Sequence, residues 1–166
     1  MANAADIIES LARAGATVAT AESLTGGLVA AALTAIPGAS VVVRGGVVAY
    51  ASDLKQELAG VPADILRRDG PVAASTAGAM AAGVRRRCGA TYGVATTGVA
   101  GPDPQDGHPP GTLHVAVAGP EGTRIKSVTE LRGDRSAIRA AAVQHALDLL
   151  AAAVSDARES QRNPGR

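Results

Sequence analysis

Residues 17–27 read Thr-Val-Ala-Thr-Ala-Glu-Ser-Leu-Thr-Gly-Gly, and an alanine-rich run, Leu28 to Ala35, follows at once. The apolar, β-branched first part predicts a buried strand over 17–21, and the run after the glycines predicts a helix over about 26–35. Between them lies a tight turn carrying two hydroxyls, Ser23 and Thr25, and two glycines, Gly26 and Gly27. Glycines there let the backbone turn sharply and let a ligand approach the main chain. The first amides of a helix have no intrahelical acceptor, so a nucleophile and an oxyanion-binding surface can share one such turn. The plainer reading is an N-cap hydroxyl and two packing glycines, and the local pattern leaves both open.

Working outward, a first helix is predicted around Ile7, Ile8, Leu11 and Ala14, closed by Gly15. Pro37-Gly38 stops the helix after the turn. Ser40 to Val43 and Gly46 to Tyr50 read as two strands, and Asp53 as the cap of a short helix over 54–59. Helices are predicted from Pro62 to Arg68 and from Pro71 to Arg87, then a buried strand from Tyr92 to Thr96. Gly98 to Gly111 is a Gly/Pro-rich loop. Thr112 to Ala118 and Arg124 to Glu130 read as a hairpin, and Asp134 as the N-cap of a last helix reaching about Val154. The order predicts an α/β fold: one layered domain over 1–154, with a central mixed β-sheet flanked by helices. Residues 155–166 are polar and are expected to form a disordered tail.

Composition sets limits. The 166 residues fit one domain with a real core. Hydrophobic residues make up 46%, yet the aromatics are only Tyr50 and Tyr92, so Ala, Val and Leu must fill that core. A net charge of +1 gives no electrostatic case for a nucleic-acid partner. No secretory leader pattern opens the chain, and no long stretch escapes Gly or charge, so a cytoplasmic protein without a membrane span is expected. Cys88, the lone cysteine, has no internal disulfide partner and reads as structural.

Tyr50 and Lys55 form a second constellation. Of sixteen basic residues only Lys55 and Lys126 are lysines, the rest being arginines. Arginine cannot lose its proton in a protein, whereas a buried amine can, so Lys55 is a candidate general base for a serine hydroxyl. Tyr50 is a candidate to orient that pair or relay its proton. A solvated lysine on a surface helix and a core tyrosine are the alternative. Ser52-Asp53-Leu54-Lys55 matches the Ser-x-x-Lys pattern of penicillin-recognising enzymes, but the companion motifs are missing and Ser52 reads as a loop or capping residue. His108, His114 and His145 lack zinc-type spacing. Asp103, Asp106 and His108 crowd one loop of a kind that attracts such residues anyway, so no metal is expected. Neither a Walker-type phosphate loop nor Gly-x-Gly-x-x-Gly is present.

Four motifs recur in a known order: Ala-Glu-Ser-x-Thr-Gly-Gly at 21–27, Tyr-x-x-x-x-Lys at 50–55, Thr-Gly-Val-Ala-Gly-Pro at 97–102 and Gly-Asp-Arg at 133–135. Together they resemble the CinA C-terminal family, whose characterised activity is deamidation of nicotinamide mononucleotide. The resemblance covers residue 5 to about 154 and implies a stand-alone form, without the molybdopterin-binding-like module of longer members. It implies that Ser23 is the nucleophile, Lys55 its activator and Tyr50 an assisting residue. It further implies that Thr25, Gly26 and Gly27 receive the substrate, with Gly98, Ala100 and Gly101 as a second wall, Thr112 at the end of that loop and Arg135 near the ribose phosphate. The implied partner is a small nucleotide, with no metal or organic cofactor, and a homo-oligomer (a dimer or higher) is expected.

Some positions depart from the family pattern. Leu24 stands where Cys is common, and Pro71-Val72-Ala73-Ala74 replaces a more polar stretch whose role falls to Ser75 or is absent. Residues 103–110 replace the usual double glycine and lysine, which bears on substrate preference more than on chemistry. An amidase acting on another small amide and a non-catalytic nucleotide-binding module remain as alternatives. Intact Ser23, Tyr50 and Lys55 count against the second, and ammonia release from nicotinamide mononucleotide separates all three.

Overall fold

The computed structural model describes residues 1–162. Five strands form one sheet in the order β2-β1-β3-β4-β5: β1 (Val18–Glu22), β2 (Val43–Val48), β3 (Tyr92–Gly98), β4 (Leu113–Gly119) and β5 (Gly122–Val128). β2, β1 and β3 run parallel, while β3, β4 and β5 pair antiparallel, so the sheet is mixed as expected.

The sheet's faces have different chemistry. Val18, Val94, Val115 and Val117 point into a core made with α1 (Ala4–Arg13), α2 (Leu28–Thr34), α3 (Ala39–Val42) and α7 (Arg135–Arg162). Ala19, Ala21, Ala95, Ala116 and Ala118 face α4 (Ser52–Glu57), α5 (Ala63–Asp69) and α6 (Ala74–Cys88). Alanines and glycines on that second side let α6 approach the strands closely. A Cβ on Gly93 would sit 2.1 Å from the Ala81 carbonyl oxygen. The absence of Phe and Trp is met by short-range packing of small side chains.

β1 is followed by helices on one face and β2 by helices on the other, and the chain then returns to β3 on the far side of β1. The carboxyl ends of β1 and β3 therefore flank a switch point, where connections diverge and leave a crevice.

Three predicted elements are corrected. Residues 39–42 are helical and only one strand, β2, follows, so the two strands read at 40–50 are one. Asp53 lies inside the first turn of α4 instead of capping it; Ala51 is the capping residue. The last helix, capped by Asp134 as predicted through a 2.8 Å bond from the Ala137 amide to Asp134 Oδ1, continues past Val154 to Arg162. Ala157 is 5% exposed, so part of the expected tail packs on the core. Residues 163–166, the rest of that tail, lie outside the described residues. Over Arg135–Glu159 α7 is long and apolar enough to cross a membrane by length and composition, although, as expected, charge interrupts it, at Arg139 and Asp148. Ile138, Ala142, Ala146 and Leu150 are buried along it against the valine face of the sheet.

Candidate active site

Every residue of β1 is buried, and its last, Glu22, is only 1% exposed. A buried carboxylate is costly unless its oxygens are hydrogen-bonded. Here the chain supplies the donors itself. Glu22 Oε2 accepts from Thr25 Oγ1 at 2.7 Å, from the Gly27 amide at 3.0 Å and from the Val29 amide at 3.0 Å. Glu22 Oε1 accepts from the Ala30 amide at 2.8 Å. The acid thus satisfies the start of α2 and sits at the positive end of its dipole. Gly26 (φ +59°) and Gly27 (φ +99°) take the left-handed conformations that fold the chain back over this carboxylate.

That geometry sets the inner contacts of the turn. Thr25 is fully buried, with Oγ1 bonded to Glu22 and 2.7 Å from Thr96 Oγ1. The Gly26 amide donates to the Ser23 carbonyl at 2.9 Å, and that of Gly27 to Glu22. The Thr25 side chain and the Gly26 and Gly27 amides therefore build the turn from beneath. Of the turn's amides, those of Leu24 and Thr25 donate to no acceptor among the described residues. Arg139 of α7 holds the outer side of the turn, donating from Nε to the Leu24 carbonyl and from Nη2 to the Thr25 carbonyl, each at 3.0 Å.

Lys55 projects from α4 and is 2% exposed. Its Nζ lies 3.1 Å from Ser23 Oγ, 3.1 Å from the Ala49 carbonyl and 3.5 Å from the Tyr50 carbonyl. Among the described residues no carboxylate is paired with it as a salt bridge. Burial lowers its pKa from the usual lysine value, and the charge of Asp106 acts in the opposite sense, more weakly. A neutral amine has two N–H groups for the two carbonyls and a lone pair for the serine hydroxyl. This arrangement suits a proton acceptor. Ser52, by contrast, is exposed at the start of α4 and makes no bond to Lys55.

Ser23 and Lys55 open into a cleft of about 70 Å³ lined also by Tyr50, Gly98, Ala100, Gly101 and Arg135. Tyr50 is 56% exposed, and its hydroxyl accepts from Arg135 Nη2 at 2.7 Å, so the phenol pairs with arginine and only the main chain of Tyr50 touches the lysine. It is not the core tyrosine of the alternative reading, and its phenol makes no hydrogen bond to Ser23 or Lys55. Arg135 Nη1 also donates to the Gly101 carbonyl at 2.7 Å, tying α7 to the loop after β3. At Gly98 a Cβ would meet the Thr112 carbonyl oxygen at 2.3 Å, so glycine is needed for strand contact at the cleft's edge. Thr112 does not line the cleft: it is buried, and its Oγ1 donates to the Pro109 carbonyl at 2.8 Å. Ser75 bonds Asp69 at 2.6 Å, at the start of α6. A larger cavity, about 260 Å³, lies between α1 and α7 and contains none of the motif residues.

Glu22 and Arg139 hold the turn that carries Ser23, and sequence alone assigned neither a role. For Glu22 a signal existed, an acid just ahead of a glycine turn and a helix start. For Arg139, one of fourteen arginines, none did. Among the described residues no group of three or more His, Cys, Asp or Glu side chains is placed to hold a metal ion.

Comparison with known proteins agrees with this architecture. The CinA C-terminal domain family matches residues 2–154. A CinA-like protein of Frankia casuarinae is 55% identical over 144 residues, which is 87% of this chain and 33% of that protein. One from Myxococcus xanthus is 48% identical over 153 residues, covering 90% of this chain and 36% of its own length. The chain thus spans about a third of the curated relatives it matches. Among solved structures, the competence/damage inducible protein CihA of Agrobacterium tumefaciens superposes with a TM-score of 0.85 at 40% identity, covering 90% of this chain and 92% of that one. A CinA superfamily protein from Klebsiella pneumoniae gives a TM-score of 0.87 at 29% identity, covering 92% and 96%. With the four motifs gathered around the ends of β1 and β3, the chain belongs to the CinA family, through its C-terminal domain.

Proposed function

We propose that the chain is an amidohydrolase that converts nicotinamide mononucleotide to nicotinic acid mononucleotide and ammonia through an acyl-enzyme on Ser23. The observation that carries the reading is the buried Lys55 amine, 3.1 Å from Ser23 Oγ and held by main-chain carbonyls instead of a counter-ion. Neutral Lys55 takes the Ser23 proton as Oγ attacks the carboxamide carbon. The resulting ammonium returns that proton to the leaving nitrogen, the C–N bond breaks, and ammonia departs. Water, giving its proton to the same amine, then cleaves the acyl ester and regenerates Ser23. The amide of Leu24, a residue that lines the cleft, is the free donor of the turn that can hold the developing oxyanion, an effect typically worth about 3–4 kcal/mol. The partly used Arg135 serves the phosphate.

On this reading the partner is a small nucleotide, neither metal nor organic cofactor takes part, and the chain works as a cytoplasmic homo-oligomer. The test is ammonia release from the mononucleotide by purified protein, with a nicotinoyl ester on Ser23 trapped by acid quench and located by mass spectrometry. EDTA is expected to leave the rate unchanged, and light scattering to report a dimer or larger.

A further inference from the structure

We propose that Asp103 is the residue that sets the cleft's preference for a carboxamide borne on a positively charged ring over one borne on a neutral ring. This rests on the amidohydrolase reading and specifies the charge pattern of its substrate. Asp103 is exposed and lines the same cleft as Ser23, Lys55 and Arg135, so it is an acid on the path by which a ring reaches Ser23 Oγ. Asp106, three residues on, is near enough for its charge to bear on Lys55. The loop side of the cleft is acidic, and the α7 side is basic.

The loop is a fixed wall. Gln105 and His108 exchange main-chain bonds of 3.0 and 2.9 Å, closing a two-residue hairpin with Asp106 (φ 52°) and Gly107 (φ 79°) at its tip. This is the pairing of left-handed residues that an Asp-Gly turn favours. Arg135 holds the loop's start through the Gly101 carbonyl, and the Gly111 amide holds its end through the Val99 carbonyl at 2.9 Å. Arg135 uses two of its N–H donors on Gly101 and Tyr50, which leaves three for an anion. A carboxylate at the entrance to the ring's site favours a cationic ring, gains nothing from a neutral one and repels an anion. A pyridinium mononucleotide, with the cation in the ring and phosphate at the other end, matches this layout.

The experiment compares ammonia release from oxidised nicotinamide mononucleotide with release from its reduced, neutral-ring form, by wild type and by Asp103→Asn. The ratio of the two kcat/KM values, oxidised over reduced, is expected to fall at least fivefold in the variant, chiefly through KM of the oxidised form. Intrinsic reactivity differences cancel in that comparison, and an unchanged ratio overturns the proposal. If wild type hydrolyses neither nucleotide, the amidohydrolase reading fails, and calorimetric Kd values decide the charge assignment. A preference for the oxidised form that Asp103→Asn abolishes supports it, and equal affinities of wild type for the two forms overturn it.

Discussion

Two connections leave adjacent parallel strands side by side, since Glu22 at the end of β1 pairs in register with Thr96 of β3. They solve the same problem differently. The turn after β1 is short and satisfied from within: Glu22 collects four donors, Arg139 takes two carbonyls, and two left-handed glycines make the fold-back. The loop after β3 is pinned by main-chain bonds at its ends and tip, and Asp103 and Gln105 line the cleft from it. A nucleophile needs a position fixed to fractions of an ångström, and the self-satisfied turn supplies it. Selectivity needs side chains that can change without unfolding the site, and the loop supplies those.

The largest effects are expected at the dyad on the turn side. Lys55→Arg keeps a cation but removes the proton acceptor, and Ser23→Ala removes the nucleophile. Each is expected to lower kcat at least about a thousandfold, with Kd for the nucleotide little changed for Ser23→Ala. An arginine variant that keeps more than a tenth of the wild-type rate would remove Lys55 from the mechanism. Next comes the support beneath. Glu22→Gln replaces one acceptor oxygen with a donor that faces amide N–H groups, leaving buried donors unpaired at about 1–3 kcal/mol. Denaturant melts are expected to record that loss together with a fall in kcat. Asp103→Asn on the exposed loop is expected to stay within about 0.5 kcal/mol of wild type in the same melts. Equal destabilisation by the two would erase the division between turn and loop.

Strand and helix periodicity made most of the fold legible, because buried β-branched runs and glycine stops act locally. It failed at Ser40 to Val43, where three valines read as a strand. There Gly38 (φ 89°) starts a single helical turn that buries Ala39 and Val42, so tertiary packing overrode propensity. At the site, the pairing of Ser23 with Lys55 was suggested by residue type and family resemblance, and the fold places their atoms 3.1 Å apart. The uses of Thr25, Gly26, Gly27 and Thr112 were not legible. A hydroxyl or amide near a site points either into it or under it, and only the location of Glu22 and Pro109 decides which. The phenol contact of Tyr50 was not legible for a similar reason: its partner, Arg135, is 85 residues away in sequence.

A stability cost is expected where the chemistry is. Burial disfavours the lysine ammonium, so between the lowered folded pKa and the unfolded value of about 10.4 the unfolded chain binds more protons. Stability therefore rises with pH across that interval. Lys55→Met, apolar and of similar length, is expected to raise Tm at pH 7 by roughly 2–4 °C per kcal/mol of relieved desolvation. Calorimetry at a series of pH values is expected to show that gain shrinking toward pH 10, and a constant gain would mean that the amine's charge is not its source.

The smallest effect joins the two connections. Asp106 on the loop raises the pKa of Lys55 beside the turn, against the larger downward pull of burial. Removing its charge in Asp106→Asn lets burial act with less opposition, so the amine loses its proton at lower pH. Turnover requires the neutral amine, hence the acid limb of the kcat profile is expected to move to lower pH while the plateau above it stays the same. On that limb the variant is expected to outrun wild type by no more than a few-fold, because Asp106 is exposed and interactions of exposed charges are typically worth about 0.2–1 kcal/mol. Added salt is expected to shrink the gap by screening the wild-type interaction. A shift of the limb to higher pH would mean that the loop acid reaches the chemistry by some route other than its charge on Lys55.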